Sequence, residues 1–236
     1  MSDDRLATPL PTFAGTRLAA HRLAVYVVSP ARRRATGRIG LRAGADAVYV
    51  TPEFDGQVVR LESGGLVRDR GGAREEAPVT TLDDAAAFLL GGPPDVEYAK
   101  EFDVPAPGDV GAPLVIDPAA AAQLGAWFRF GFGVLEAMRD QAGEGAAEVQ
   151  LWPEHFDAAV DAPSGEGRIT FGASPGDATS DEPYLYVLPP GPVEPGGTWN
   201  ATGFTGAVLP LSAFVDAGDQ RAAALAFLRS RRDAAA

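Results

Sequence analysis

The chain has 236 residues, a formal net charge of −12 and no cysteine. Disulfides, cysteine-ligated zinc, iron–sulfur clusters and thiol catalysis are thereby excluded. A surface this acidic repels nucleic acid and anionic lipid, and no apolar run nears the ~20 residues of a membrane span, so neither is an expected partner.

The charge is uneven. The first 80 residues carry twelve Arg against nine Asp or Glu, and the rest of the chain is strongly acidic. Arg32, Arg33 and Arg34, with Arg38 and Arg42, form the one basic patch. No aromatic residues interleave with them, so a solvated helix end is expected there rather than a nucleic-acid site. Lys100 is the only lysine, and the wealth of Ala, Gly, Pro and Arg points to a GC-rich bacterial coding sequence. The polar start MSDDRLATPLP lacks the basic and apolar regions of a signal peptide, and a cytoplasmic location is expected.

In chain order, a helix is predicted from Thr16. Leu18, His21, Val25 and Val28 fall on one face, and Pro30 ends or kinks it. Short strands follow at residues 37–42, 47–51, 57–62 and 65–69, the last two joined by a Ser63-Gly64 turn. Thr80 to Asp84 carry the hydroxyls and carboxylates of a helix start, and Gly91-Gly92-Pro93-Pro94 end that helix. Residues 96–104 alternate as a strand with Lys100 on the apolar face. The Pro/Gly-rich residues 105–116 are a candidate linker. Asp117-Pro118 then opens a helix to about residue 141 whose apolar residues cover most of its circumference. Gly131 and Gly133 within it suit close backbone approach. Strands are expected at 148–152, 155–161, 168–173, 183–188 and 204–209. A last helix over 218–231 should bury Ala222, Leu225, Ala226 and Leu228. The reading is one α+β domain of antiparallel sheets packed with helices. Its two similar helix-plus-meander halves would span 16–104 and 117–232.

The candidate site lies around LWPEHFDAAVD. In strand period His155 and Asp157 share a polar face, as a base with its orienting carboxylate or as two metal ligands. Glu154, Asp161 or Asp177 are available as a third ligand, but no metal motif is present and no metal is assigned. Trp152, Glu154 and Tyr186 are candidate binding residues, and His21 a possible distant member. If Val160 pairs with Ile169, Asp161 faces Arg168 across the hairpin. Gly172 to Gly176 is neither a nucleophile elbow nor a phosphate loop. No cofactor motif for NAD, ATP or flavin appears, and the cofactor stays unknown.

The order of Ala20-His21-Arg22, LWPEHFDAAVD, FGASPGD, EPYLYV and GFTGAVLPLSAF resembles a bacterial family, the domain-of-unknown-function family numbered 5996. The resemblance covers nearly the whole chain. By its pattern His21, Phe156, Asp157, Gly176 and Tyr184 or Tyr186 match family positions, while His155 lies where members vary. It implies no activity. Two functions are therefore expected as alternatives. One is binding or transforming a small molecule beside the C-terminal-half sheet, with His155, Asp157 and His21 as acid–base groups. The other is a non-catalytic interaction or structural role.

Overall fold

The computed structural model describes residues 5–177 and 180–235. The fold is α+β, with one antiparallel sheet of four strands and one of five, each a meander in chain order. The chain forms two compact units. The first comprises Pro9–Ala126 with Leu151–Phe156. The second comprises Trp127–Gln150, the chain from Asp157 onward and the segment before Pro9.

In the first unit, α1 (Phe13–Leu23) does not end at Pro30; of the two expected outcomes, an end or a kink, the chain takes an irregularity. It passes through a π turn, Ala24–Val28, into α2 (Ser29–Thr36). A proline has no N–H and clashes with the carbonyl four residues back, here that of Tyr26. The wider π turn relieves this clash, and the Tyr26 carbonyl accepts from Asp95 N instead, at 2.9 Å. Leu23, Ala24, Val27 and Val28 are fully buried. Leu18 is 38% exposed and does not join the predicted apolar face.

The predicted strand at 37–42 reduces to single bridges at Leu41 and Arg42. β1 (Tyr49–Val50), β2 (Gln57–Glu62), β3 (Gly65–Arg70) and β4 (Ala73–Pro78) follow, with Glu62 opposite Gly65 as the Ser63-Gly64 turn implies. β4 was not predicted, because AREEAP has no apolar alternation and is mostly exposed. Its hairpin turn, Gly71-Gly72 with both φ positive, was the available signal. Ion pairs tie these strands across their exposed face, Arg68 with Glu75 and Arg60 with Asp69.

Thr81 caps α3 (Leu82–Leu90) by accepting from Asp84 N, and the left-handed Gly91 closes it. The predicted strand over 96–104 is wrong. Asp95 caps a helical turn, α4 (Val96–Ala99), by accepting from Tyr98 N at 3.0 Å. Lys100 is therefore an exposed side chain paired with Glu97, not an inward charge. A cap immediately after two prolines overrides the period-two pattern. Residues 105–116 lie within this unit, where the Pro105 carbonyl accepts from Tyr26 Oη.

α5 (Pro118–Ala142) has the predicted bounds. Asp117 accepts from Ala120 N at 2.9 Å, and Gly143, at φ 73°, follows its end. From Trp127 onward it belongs to the second unit. There Gly131 lies against β7, and a Cβ at Gly131 would come 2.7 Å from that of Ala173. Both contacts are on rigid elements, so overpacking outweighs the better helix propensity of alanine. Gly131→Ala is expected to cost about 1–3 kcal/mol, seen as a lower urea midpoint with an unchanged slope.

β5 (Gln150–Trp152), β6 (Asp157–Ser164), β7 (Gly167–Ser174), β8 (Tyr184–Leu188) and β9 (Ala207–Pro210) make the larger sheet. β6 begins at Asp157, two residues later than predicted. The β6–β7 register also differs from expectation. Ser164 pairs with Gly167 around a two-residue turn, so Val160 faces Phe171 and Asp161 faces Thr170. Thr170 Oγ1 donates to Asp161 Oδ1 at 2.6 Å, and Arg168 reaches the Asp161 backbone carbonyl rather than its carboxylate. Asp219 caps α6 (Gln220–Ala234). Its buried face is Ala224, Leu225, Phe227 and Leu228. Ala222 and Ala226, predicted to be buried, face out because the buried stripe is centred on Ala224, Leu225, Phe227 and Leu228, with Ala222 and Ala226 at its edges.

Candidate functional site

The segment carrying the candidate residues is not one strand. Phe156 N donates to the Trp152 carbonyl at 2.7 Å, closing a tight turn, and Phe156 has φ 54°. A left-handed conformation is unusual for a bulky residue and persists where surrounding packing dictates it. The turn ends the alternation on which a shared His155–Asp157 face depended. His155 is exposed outside any strand, whereas Asp157 is buried at the first position of β6.

In the first unit the turn supplies Trp152, Glu154, His155 and Phe156. The Phe156 ring stacks on His21 (centroids 4.8 Å apart, planes 9° apart) and meets Tyr49 edge-on at 6.1 Å. These contacts explain why Phe156 is held in its strained conformation. His21 sits in the last turn of α1, just before the π turn. Its Nε2 is shut from solvent and has no hydrogen-bond partner. Burial lowers its pKa to about 4, although the carbonyls of Glu154 and Pro153 point toward the ring and favour the charged form. Arg17 and His155 add smaller repulsions. His21 is thus a neutral imidazole at pH 7.

Glu154 is 9% exposed, and its Oε2 is buried with no partner. Burial raises its pKa above the ordinary carboxyl value. The same carboxyl weighs on Tyr98, whose hydroxyl lies 3.1 Å from that of Ser29. The turn thus carries a buried carboxyl biased toward its acid form, and its backbone meets a neutral imidazole. Strongly perturbed, buried titratable groups of this kind concentrate at functional sites. Trp152 is half-buried beside them in the chain.

In the second unit Tyr186 donates to Asp157 Oδ2 at 2.5 Å. Its ring lies over Gly172, its partner across β7–β8. A Cβ on Gly172 would stand 2.0 Å from Tyr186 Cζ, so only glycine leaves room for that ring. Burial and the Asp157 charge raise the Tyr186 pKa well above 10, and the phenol stays protonated. Alongside, Tyr184 donates to Asp177 Oδ2, and Asp177 Oδ1 accepts from Ser180 N. The two tyrosine rings are 6.2 Å apart. The result is a polar lattice on one sheet that holds carboxylates rather than releasing protons.

The candidate residues therefore sort into two groups. His21, Trp152, Glu154 and the exposed His155 belong to the first unit, Asp157 and Tyr186 to the second. Sequence reasoning named Phe156 only through the family resemblance and not as the pivot of a turn, since its position between a histidine and an aspartate gave no local signal. Among the described residues no three or more His, Asp or Glu side chains gather as a metal site needs. None of the described helices is long and apolar enough to cross a membrane. No family model matches the chain, and neither does any curated protein or any solved structure.

Proposed function

We propose that the protein binds a small, uncharged, hydrogen-bonding molecule at His21 and Glu154, and that this pair exchanges protons with it. The reading rests on one observation. His21 Nε2 and Glu154 Oε2 are both buried polar atoms without a protein partner, beside a residue in strained conformation. Native folds rarely leave such atoms unsatisfied, and the exceptions call for a bound group. A π turn three residues after His21 supports the same reading, since π turns concentrate at functional sites. His21 would act as base and Glu154 as acid, with Trp152 as a flanking aromatic surface. On the motifs quoted above we also propose membership of the 5996 family, a bacterial source and a cytoplasmic location.

Ligand-observed NMR with a fragment set of alcohols, amides and ureas tests the binding. Hits are expected that compete with one another and are lost in both His21→Phe and Glu154→Gln. Hits that survive both substitutions, or a set with none, would favour the non-catalytic alternative.

A further inference from the structure

The arginine run at residues 32–34 divides sharply. Arg33 makes two hydrogen bonds to Glu101, both 3.0 Å, and lies over the Tyr98 ring. Arg34 pairs with Asp95 at 2.9 Å. These two account for the surface of α2 that faces α4. Arg32 is different. It is 6% exposed, and its Nε and Nη1 are shut from solvent with no hydrogen-bond partner. No ion pair of Arg32 occurs among the described residues. The charges that act on it are those of Arg42 and Arg38, both positive, and with burial they push its pKa down.

A guanidinium stays protonated in any protein, so it cannot escape burial by losing its proton as a lysine would. An uncompensated buried cation among like charges is one of the costliest arrangements a fold can hold. It is retained where something supplies the missing negative charge. A helix end helps little here, since α2 closes four residues later on the exposed Thr36 and its carbonyls are taken by Thr36 Oγ1 and Gly37 N. Water would satisfy the N–H groups without balancing the charge.

We infer that Arg32, with the positive field of Arg38 and Arg42 around it, is a binding site for the oxyanion end of a small molecule, a carboxylate or a phosphate. Arginine matches both through paired N–H donors. The near-complete burial of Arg32 admits a small headgroup and bars a nucleic-acid backbone or a membrane surface. The net charge of −12 works against non-specific attraction, so any anion held here is held by this guanidinium.

Calorimetric titration and thermal unfolding at constant ionic strength test the site, with inorganic phosphate in one arm, acetate in the other and chloride as the control. The wild-type midpoint should rise with phosphate or acetate and not with chloride, and the responding arm names the source. Arg32→Gln should weaken binding by about tenfold or more, as loss of a charged, paired donor set does. Arg38→Gln, at an exposed position, should fold normally and weaken binding by about two- to threefold at low salt. The ¹⁵Nε resonances of the wild type give a readout independent of any variant's folding, and one slowly exchanging Nε–H should move on titration. A midpoint indifferent to both anions, no shifting Nε–H, or an Arg32→Gln protein that responds like the wild type would overturn the inference.

Discussion

Replacing Gly172 with alanine should destabilise the protein by about 3–5 kcal/mol, more than any other single methyl group considered. Two costs add. The new Cβ would sit 2.0 Å from Tyr186 Cζ and 2.5 Å from its hydroxyl oxygen, so the ring must leave. Forcing a methyl into such a site costs about 1–3 kcal/mol by itself. Departure of the ring also removes the Tyr186 donor from the buried Asp157 carboxylate, and a hydrogen bond to a charged group contributes about 1.5–3 kcal/mol. Tyr186→Phe should lose the second cost alone. Combining it with Gly172→Ala should then cost less than the sum of the singles, because both act through one ring. Urea unfolding of the four proteins at pH 7 measures the cycle. A Gly172→Ala protein within about 1 kcal/mol of the wild type would show that the ring is not fixed over Gly172.

The second large effect concerns acid. His21 has a folded pKa of about 4 against 6.5 in a free side chain, so between those values the unfolded chain holds more protons. Stability due to His21 is therefore complete above about pH 6.5 and falls as pH drops toward 4, by about 3 kcal/mol in all. Glu154 runs the other way. Its raised pKa favours the fold at low pH and costs stability as pH rises above the ordinary carboxyl range. His21→Phe keeps an aromatic ring against Phe156 and removes the titration, together with the ring's contacts to the Glu154 and Pro153 carbonyls, whose loss is the same at both pH values. The variant should lose about 3 kcal/mol less than the wild type on going from pH 7.5 to pH 4. Equal losses in the two proteins would mean that the imidazole titrates normally.

Much of the architecture was readable from residues. Caps marked their helices at Thr81 and Asp117, and the Ser63-Gly64 turn fixed its hairpin. The failures came where a cap or a distant contact overrode the local pattern. Asp95 turned the alternating residues 96–104 into a helical turn and freed Lys100. The turn at Phe156 broke the strand that was to align His155 with Asp157, through packing on His21 and Tyr49 that lies more than a hundred residues away. Glu154 was legible only as a nearby carboxylate, because nothing in the local pattern showed that it would be buried. Arg32 was legible as one of a basic run, but a run cannot show which member turns inward.

The π turn sets the angular phase of the long first helix. In a straight α-helix His21 and Arg32, eleven residues apart, would fall close to one line, since each residue advances about 100°. The extra residue in the turn at Ala24–Val28 rotates everything after it by roughly one residue's angle. An imidazole and a buried guanidinium that share a helix are thereby sent to different faces. Deleting one residue from the turn would restore regular helix and still leave the two about 80° apart, because ten residues at about 100° each fall short of three full turns. In this chain the irregular turn acts as a spacer in angle rather than in length.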